Sequence, residues 1–97
     1  MNFEIAPKST EIEANWNDAT FYCFALNIDG KSGWRLPTSD ELNWIWESAN
    51  DFVEWYYWSS TEYNSNHVCG QSFDSGRQNN TNKNCVGVFV RAVRDLT

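Results

Sequence analysis

Gly33-Trp34-Arg35-Leu36-Pro37-Thr38-Ser39-Asp40-Glu41-Leu42 is the stretch whose reading decides the fold. Gly33 permits a sharp exit from the turn-rich run before it. Trp34 and Leu36 alternate with Arg35, so two large apolar side chains point one way and a cation the other. Pro37 fixes its own φ, lacks a backbone donor and holds Leu36 extended. Thr38 then opens a helix. The spacing Thr38-x-x-Glu41 is a capping box, in which the hydroxyl takes the Glu41 amide and the carboxylate returns to the Thr38 amide. Asp40 and Glu41 also set negative charge at the positive end of the helix dipole. The reading is a strand-to-helix corner with Trp34, Leu36 and Pro37 in the core.

Working outward, the helix that begins at Ser39 runs to about Ala49, with Leu42, Ile45, Trp46 and Ala49 inward, and Asn50-Asp51 stops it. Upstream, Asn15 caps a helix from Trp16 to about Asn27. Its buried stripe is Trp16, Ala19, Cys23 and Leu26. Residues 2–6 read as a short strand ending at Pro7, and residues 8–13 as a polar loop. After residue 52 the period changes from 3.6 to 2. Residues 55–61, 67–73 and 86–93 read as strands, with a tight turn at Asp74-Ser75-Gly76. In the last of these Val86, Val88, Val90 and Ala92 face one way, and Gly87, Phe89, Arg91 and Val93 the other. Gln78 to Asn84, with four Asn in seven residues, reads as a solvated loop. Helices first and a small antiparallel sheet second make an α+β domain.

A chain of 97 residues is expected to form one domain over 1–97. Six Trp, six Phe and four Tyr supply a core from a few bulky, rotamer-poor side chains. The net charge of −6 argues against nucleic acid and anionic membrane as partners, since both need a cationic footprint. Met1-Asn2-Phe3-Glu4-Ile5 lacks the basic and apolar regions of a leader peptide, so synthesis in the cytoplasm is expected, possession of a virion location included. Three Cys, an odd number, point to free thiols rather than a disulfide framework. Whether Cys69 and Cys85 pair stays open.

Three ordered motifs carry a family resemblance. Gly33 to Thr38, followed by an acidic residue and Leu42, Tyr57-Trp58-Ser59-Ser60-Thr61-Glu62, and Val90-Arg91-Ala92-Val93-Arg94 together resemble the Lcl C-terminal domain family. Trp16, Asp18-Ala19 and Tyr22-Cys23 resemble the helix that precedes the corner in that family. The resemblance implies a C-type lectin-like fold, with two helices flanking a twisted sheet and the chain ends close together. Within these motifs Trp34, Arg35, Leu36, Pro37, Thr38, Glu41, Trp58, Arg91 and Arg94 are expected to have structural duty. Related domains occur at adhesin tips and on phage structural proteins.

The residues that could carry chemistry are few. Trp16-Asn17-Asp18 spells a tripeptide that supplies calcium ligands in sugar-binding C-type lectins, yet here it opens a helix and lacks a partner tripeptide, so no metal site is expected. His67 and Cys69 share a face of one strand but have no orienting third group. Thiol chemistry at Cys69 or Cys85, as in the formylglycine-generating enzymes that share this broad fold, is the enzymatic alternative. Ser59-Ser60-Thr61 is expected to satisfy backbone groups where its strand bends. Arg35, Arg91 and Arg94 are expected to pair with Glu41, Glu62 or Asp95, or to stack on Trp rings. Glu62 to Asn84 has the composition of adaptable binding loops as well as of ordinary solvated ones. Tyr63, His67, Arg77, Gln78 and Asn80 are its candidate contact residues, with Lys83 adding positive charge. The function expected is a non-enzymatic binding or display module without cofactor: a small phage virion surface protein, or an adhesin-like surface- or glycan-binding domain. Its partner is a protein of the capsid or tail, or a surface receptor, and an oligomer is possible.

Overall fold

A computed structural model describes residues 2–96. Strand β1 (Phe3–Ile5) is followed by a 3-10 turn at Lys8–Thr10 and β2 (Ile12–Glu13), then helix α1 (Trp16–Ala25). β3 (Trp34–Arg35) leads into α2 (Ser39–Ser48), and β4 (Tyr56–Glu62), β5 (His67–Ser72), β6 (Gln78–Asn82), β7 (Phe89–Val90) and β8 (Val93–Asp95) complete the order. The class is α+β.

The corner forms as its residues dictate. Thr38 accepts from the Glu41 amide while the Glu41 carboxylate accepts from the Thr38 amide at 2.8 Å. Asn15 caps α1 by accepting from the Asp18 amide. Arg35 closes a bidentate pair with Glu41 at 2.7 and 2.9 Å and reaches Asp95 at 2.7 Å. Those hydrogen bonds from Arg35 hold Glu41 below the usual glutamate range against the opposing effect of burial, with the Thr38 amide helping. Asp95 is lowered by the same guanidinium.

The strands make two sheets where one was expected. A three-stranded sheet has the order β1-β8-β3, and a five-stranded sheet the order β2-β7-β4-β5-β6. All pairings are antiparallel except β4 with β7. The last strand of the sequence reading is divided. β7 belongs to the large sheet and β8 to the small one, because the chain changes sheets at Arg91-Ala92. Arg91 is buried there, with Nε on the Ala6 carbonyl and the two terminal nitrogens on Glu11 and Asp51. Residues 8–13 are likewise not all loop, since Ile12 pairs with Val90.

Tyr57 and Trp58, adjacent on β4, are both fully buried and point to opposite faces. Trp58 packs with Val68, Val90, Trp34, Leu36 and the α1 residues Ala19 and Cys23. Tyr57 packs with Phe73, Val93 and the α2 residues Leu42 and Ile45. The two helices therefore cover opposite faces of β4. Helix α1 ends at Ala25, two residues short of the expected Asn27. Trp46, expected inward, lies at the surface with its ring over the backbone of Gly76.

The Gln78–Asn84 loop is the clearest correction. Residues 78–82 are β6, paired with β5 from His67↔Asn82 to Gln71↔Gln78. Asn disfavours strands, but the pairing is supplied by β5. Gly70 gives the close approach, for a Cβ there would sit 3.2 Å from Thr81 Oγ1 and 3.4 Å from the Tyr57 carbonyl.

Gly76 has φ +82°, and a Cβ on it would stand inside the Trp46 ring. Gly76→Ala is expected to cost about 2–4 kcal/mol through backbone strain and overpacking, read from urea melts. Adding Trp46→Ala should recover part of that loss. A Gly76→Ala protein within about 0.5 kcal/mol of the parent refutes the assignment. Acid offers a second check. Because the folded Glu41 sits below its unfolded value, the stabilisation it contributes is present above about pH 4.3 and is lost as pH falls through the folded value. Glu41→Gln should reduce the slope of stability against pH below about pH 4.5; an unchanged slope would show that other carboxylates carry the acid sensitivity.

Candidate functional site

The three sequence motifs meet in space and are occupied with one another. Trp34 pairs with Arg94, and Arg35 with Val93, across β3 and β8. The Ser60 amide donates to the Pro37 carbonyl at 2.8 Å, and the Ser39 amide donates to Thr61 Oγ1 at 2.9 Å. Ser59 bridges the bend of β4, donating to the Cys69 carbonyl and accepting from the Thr61 amide. Trp58 Nε1 donates to Ala14, and Trp34 Nε1 to Lys31. Arg94 holds Glu4 and the Ser32 carbonyl, and Arg91 lies over the Phe52 ring at 4.4 Å. Glu62 was a possible arginine partner but instead pairs with Lys83 at 2.8 Å. Lys83 also covers the Trp16 ring, so it is not a spare cation for a ligand.

A wide concavity lies elsewhere. A groove of about 570 Å³ opens over β6 and the start of β4, walled by the chain from Cys85 to Val88. Trp55 forms one side, 53% exposed, with Nε1 donating to the Gly87 carbonyl at 3.0 Å. Its ring meets Tyr56 edge-on at 5.5 Å between centroids. Asn79 Nδ2 donates to the Tyr56 hydroxyl at 3.1 Å, which fixes the floor. Val86 stands exposed on the rim, and Val88 is buried beneath it. The turn after β6 is locked by Cys85 N to the Asn82 carbonyl and by Asn84 N to Asn82 Oδ1.

Beside the groove runs an open sheet edge. Lys83 N donates to the Asn66 carbonyl and Ser72 N to the Arg77 carbonyl, both at 2.9 Å. With the observed register, Val68↔Thr81 and Gly70↔Asn79 are then the hydrogen-bonded pairs. The N–H groups of Gln78, Asn80 and Asn82, and the carbonyls of Gln78 and Asn80, therefore point away from β5. None of these five groups has a hydrogen-bond partner among the described residues.

Of the candidate contact residues, only Asn80 lines the groove. Tyr63 stands exposed at the β4–β5 turn, and His67 begins β5 with Nδ1 at 3.0 Å from Asn64 Oδ1. Arg77 and Gln78 lie at the other end of β5, about 20 Å away at 3.4 Å per residue. Gln78 is tied down, with Nε2 donating to the Ser39 carbonyl and to Gln71 Oε1. The five do not form one site. The sequence reading missed Trp55, Tyr56, Asn79, Thr81, Cys85 and Val86 as neighbours. Their link is the β5–β6 pairing, which Asn-rich strands do not advertise.

Cys23, Cys69 and Cys85 are free thiols. Burial pushes Cys23 up to about 12 and raises Cys69, the latter against a hydrogen bond from Ser59. Cys69 is on β5, and Cys85 is in the turn after β6. Among the described residues no hydrogen bond joins Cys69 to His67, and no group of three or more His, Cys, Asp or Glu side chains converges as a metal site. No described helix is long and apolar enough to cross a membrane.

The family model of the Lcl C-terminal domain matches residues 4–94, and the chain belongs to that family. No curated protein matches it.

The thiols provide a direct check of the groove's exposed wall. In Ellman's assays near pH 8, Cys85 should react fast in the folded protein, Cys69 more slowly and Cys23 only on unfolding. Cys85→Ser should remove the fast phase. A fast phase that survives this substitution would place Cys85 in a protected position.

Proposed function

We propose that this chain is a non-enzymatic binding module that captures an extended segment of a protein partner along β6. The observation that carries the reading is the row of unpartnered backbone groups at Gln78, Asn80 and Asn82 beside a groove walled by Trp55 and Val86. Main-chain hydrogen bonds to a free edge supply affinity, and a neighbouring pocket for alternate side chains supplies selectivity. β6 carries no Lys and no Pro, the usual devices that blunt an edge against pairing. Arg35, Arg91 and Arg94 and the hydroxyls of Thr38, Ser59 and Thr61 are engaged in holding the fold, whereas this edge keeps spare hydrogen-bonding capacity.

We further propose a C-type lectin-like arrangement. It is supported by the pairing of β1 with β8, which brings the two ends of the described chain together, and by helices on opposite faces of β4. Such a module would suit a virion surface protein or an adhesin-like domain, and the free backbone edge favours a protein over a glycan as its ligand.

A displayed random-peptide library panned on the immobilised protein tests the reading. Recovered peptides should shift the amide resonances of residues 78–82 and 85–88. Asn80→Pro removes an outward donor and none of the β5–β6 ladder, so it should keep the fold and weaken capture at least tenfold. Thr81→Pro removes a ladder donor and should destabilise the protein outright. Capture unaffected by Asn80→Pro rules out strand addition, and capture of saccharides alone overturns the choice of a protein ligand.

A further inference from the structure

Helix α1 packs Trp16 and Tyr22 against the core but leaves two large apolar rings on its outer side. Its fully buried residues are the small ones, Ala19 and Cys23. Its outward residues include Phe21, 71% exposed, and Phe24, 81% exposed, the two most exposed large apolar side chains among the described residues. The helix carries one charge, Asp18 in its first turn. Next to this pair lies a hollow of about 180 Å³ between Trp16, Phe24, Trp34 and Leu36. An apolar cavity of about 150 Å³ admits a benzene ring. The hollow is therefore the size of a phenyl side chain, and none of the described residues fills it.

We propose that this face is a two-fold interface between copies of the chain, with Phe21 of each copy seated in the hollow of the other. A projecting ring and a ring-sized hollow sit side by side on one patch. A two-fold axis satisfies both at once, twice over, which is the requirement of an isologous contact. A partner offering only a ring would leave Phe21 in water, and one offering only a hollow would leave this hollow empty. Charge favours the same occupant. Two copies at −6 repel over most of their surfaces. Here the hollow's one charged side chain, Arg35, is already closed by Glu41 and Asp95, each at 2.7 Å. The contact thus opposes almost no like charge. Phe21 and Phe24 expose about 300 Å² per copy, less than half of the about 800 Å² per partner of a standard stable complex, so the dimer is weak and concentration-dependent. This inference stands independently of capture at β6.

Sedimentation equilibrium of the purified chain from about 10 μM to about 1 mM tests it. The parent should pass from monomer towards dimer across that range. Phe21→Ser removes the ring and Thr20→Arg obstructs the hollow; each should weaken self-association at least tenfold with an unchanged circular dichroism spectrum. An equimolar mixture of the two variants retains one intact ring-in-hollow contact and should associate more strongly than either variant alone. A parent that stays monomeric throughout the range overturns the proposal. So does a Phe21→Ser protein that dimerises like the parent, or a mixture that associates no better than its components.

Discussion

The buried guanidinium of Arg91 is the interaction on which the rest of the structure depends. It is 3% exposed, and its ligands come from three separate parts of the chain: Ala6 at the end of β1, Glu11 before β2, and Asp51 after α2. Glu11 in turn accepts from the Tyr57 hydroxyl at 2.7 Å, and that hydroxyl accepts from the Val53 amide. Burial, then the Glu11 contact, pushes the Tyr57 phenol up, so it stays a donor. This network lies where the chain leaves one sheet for the other. Only a planar, multiply donating cation can join a carbonyl and two carboxylates while its face rests on Phe52. Loss of one member of a buried pair costs about 3–5 kcal/mol, because the other is stranded away from water. The two sheets are therefore joined by polar contacts as well as by apolar packing.

That division explains what was legible in the sequence. The corner at Gly33–Leu42 was readable because each of its features acts within a few residues: the Pro37 φ, the Thr38–Glu41 box, the alternation of Trp34 and Leu36. The Asn15 cap is local in the same way. Arg91 was recognisable as structural, but its partners were not, since Glu11 and Asp51 are 80 and 40 residues away. β6 escaped because its strand character is conferred by β5, and neither Asn79 nor Asn80 signals it. The candidate contact residues were chosen for exposure and chemistry, which composition reveals. Their separation along β5 was fixed by a pairing that composition conceals.

The surface that results is unevenly provided for. Its cations are mostly engaged: Arg35, Arg91, Arg94 and Lys83 each close an internal pair, so the fold consumes much of its positive charge. The two proposed contact surfaces use groups that carry no charge, the backbone of β6 with the ring of Trp55 and the rings of Phe21 and Phe24. Contacts built from these should depend little on salt, unlike those made through steering by surface charge.

The pairing of the terminal strands has a mechanical consequence. Phe3 lies opposite Asp95 and Ile5 opposite Val93. A pull applied between the two ends meets the Phe3–Asp95 pair first and then peels β1 from β8 one rung at a time. Loaded in this manner the rungs share no force, so the domain yields at low tension. Held by one end alone, the same junction bears no peeling load, and the sheet on either side of it stays intact.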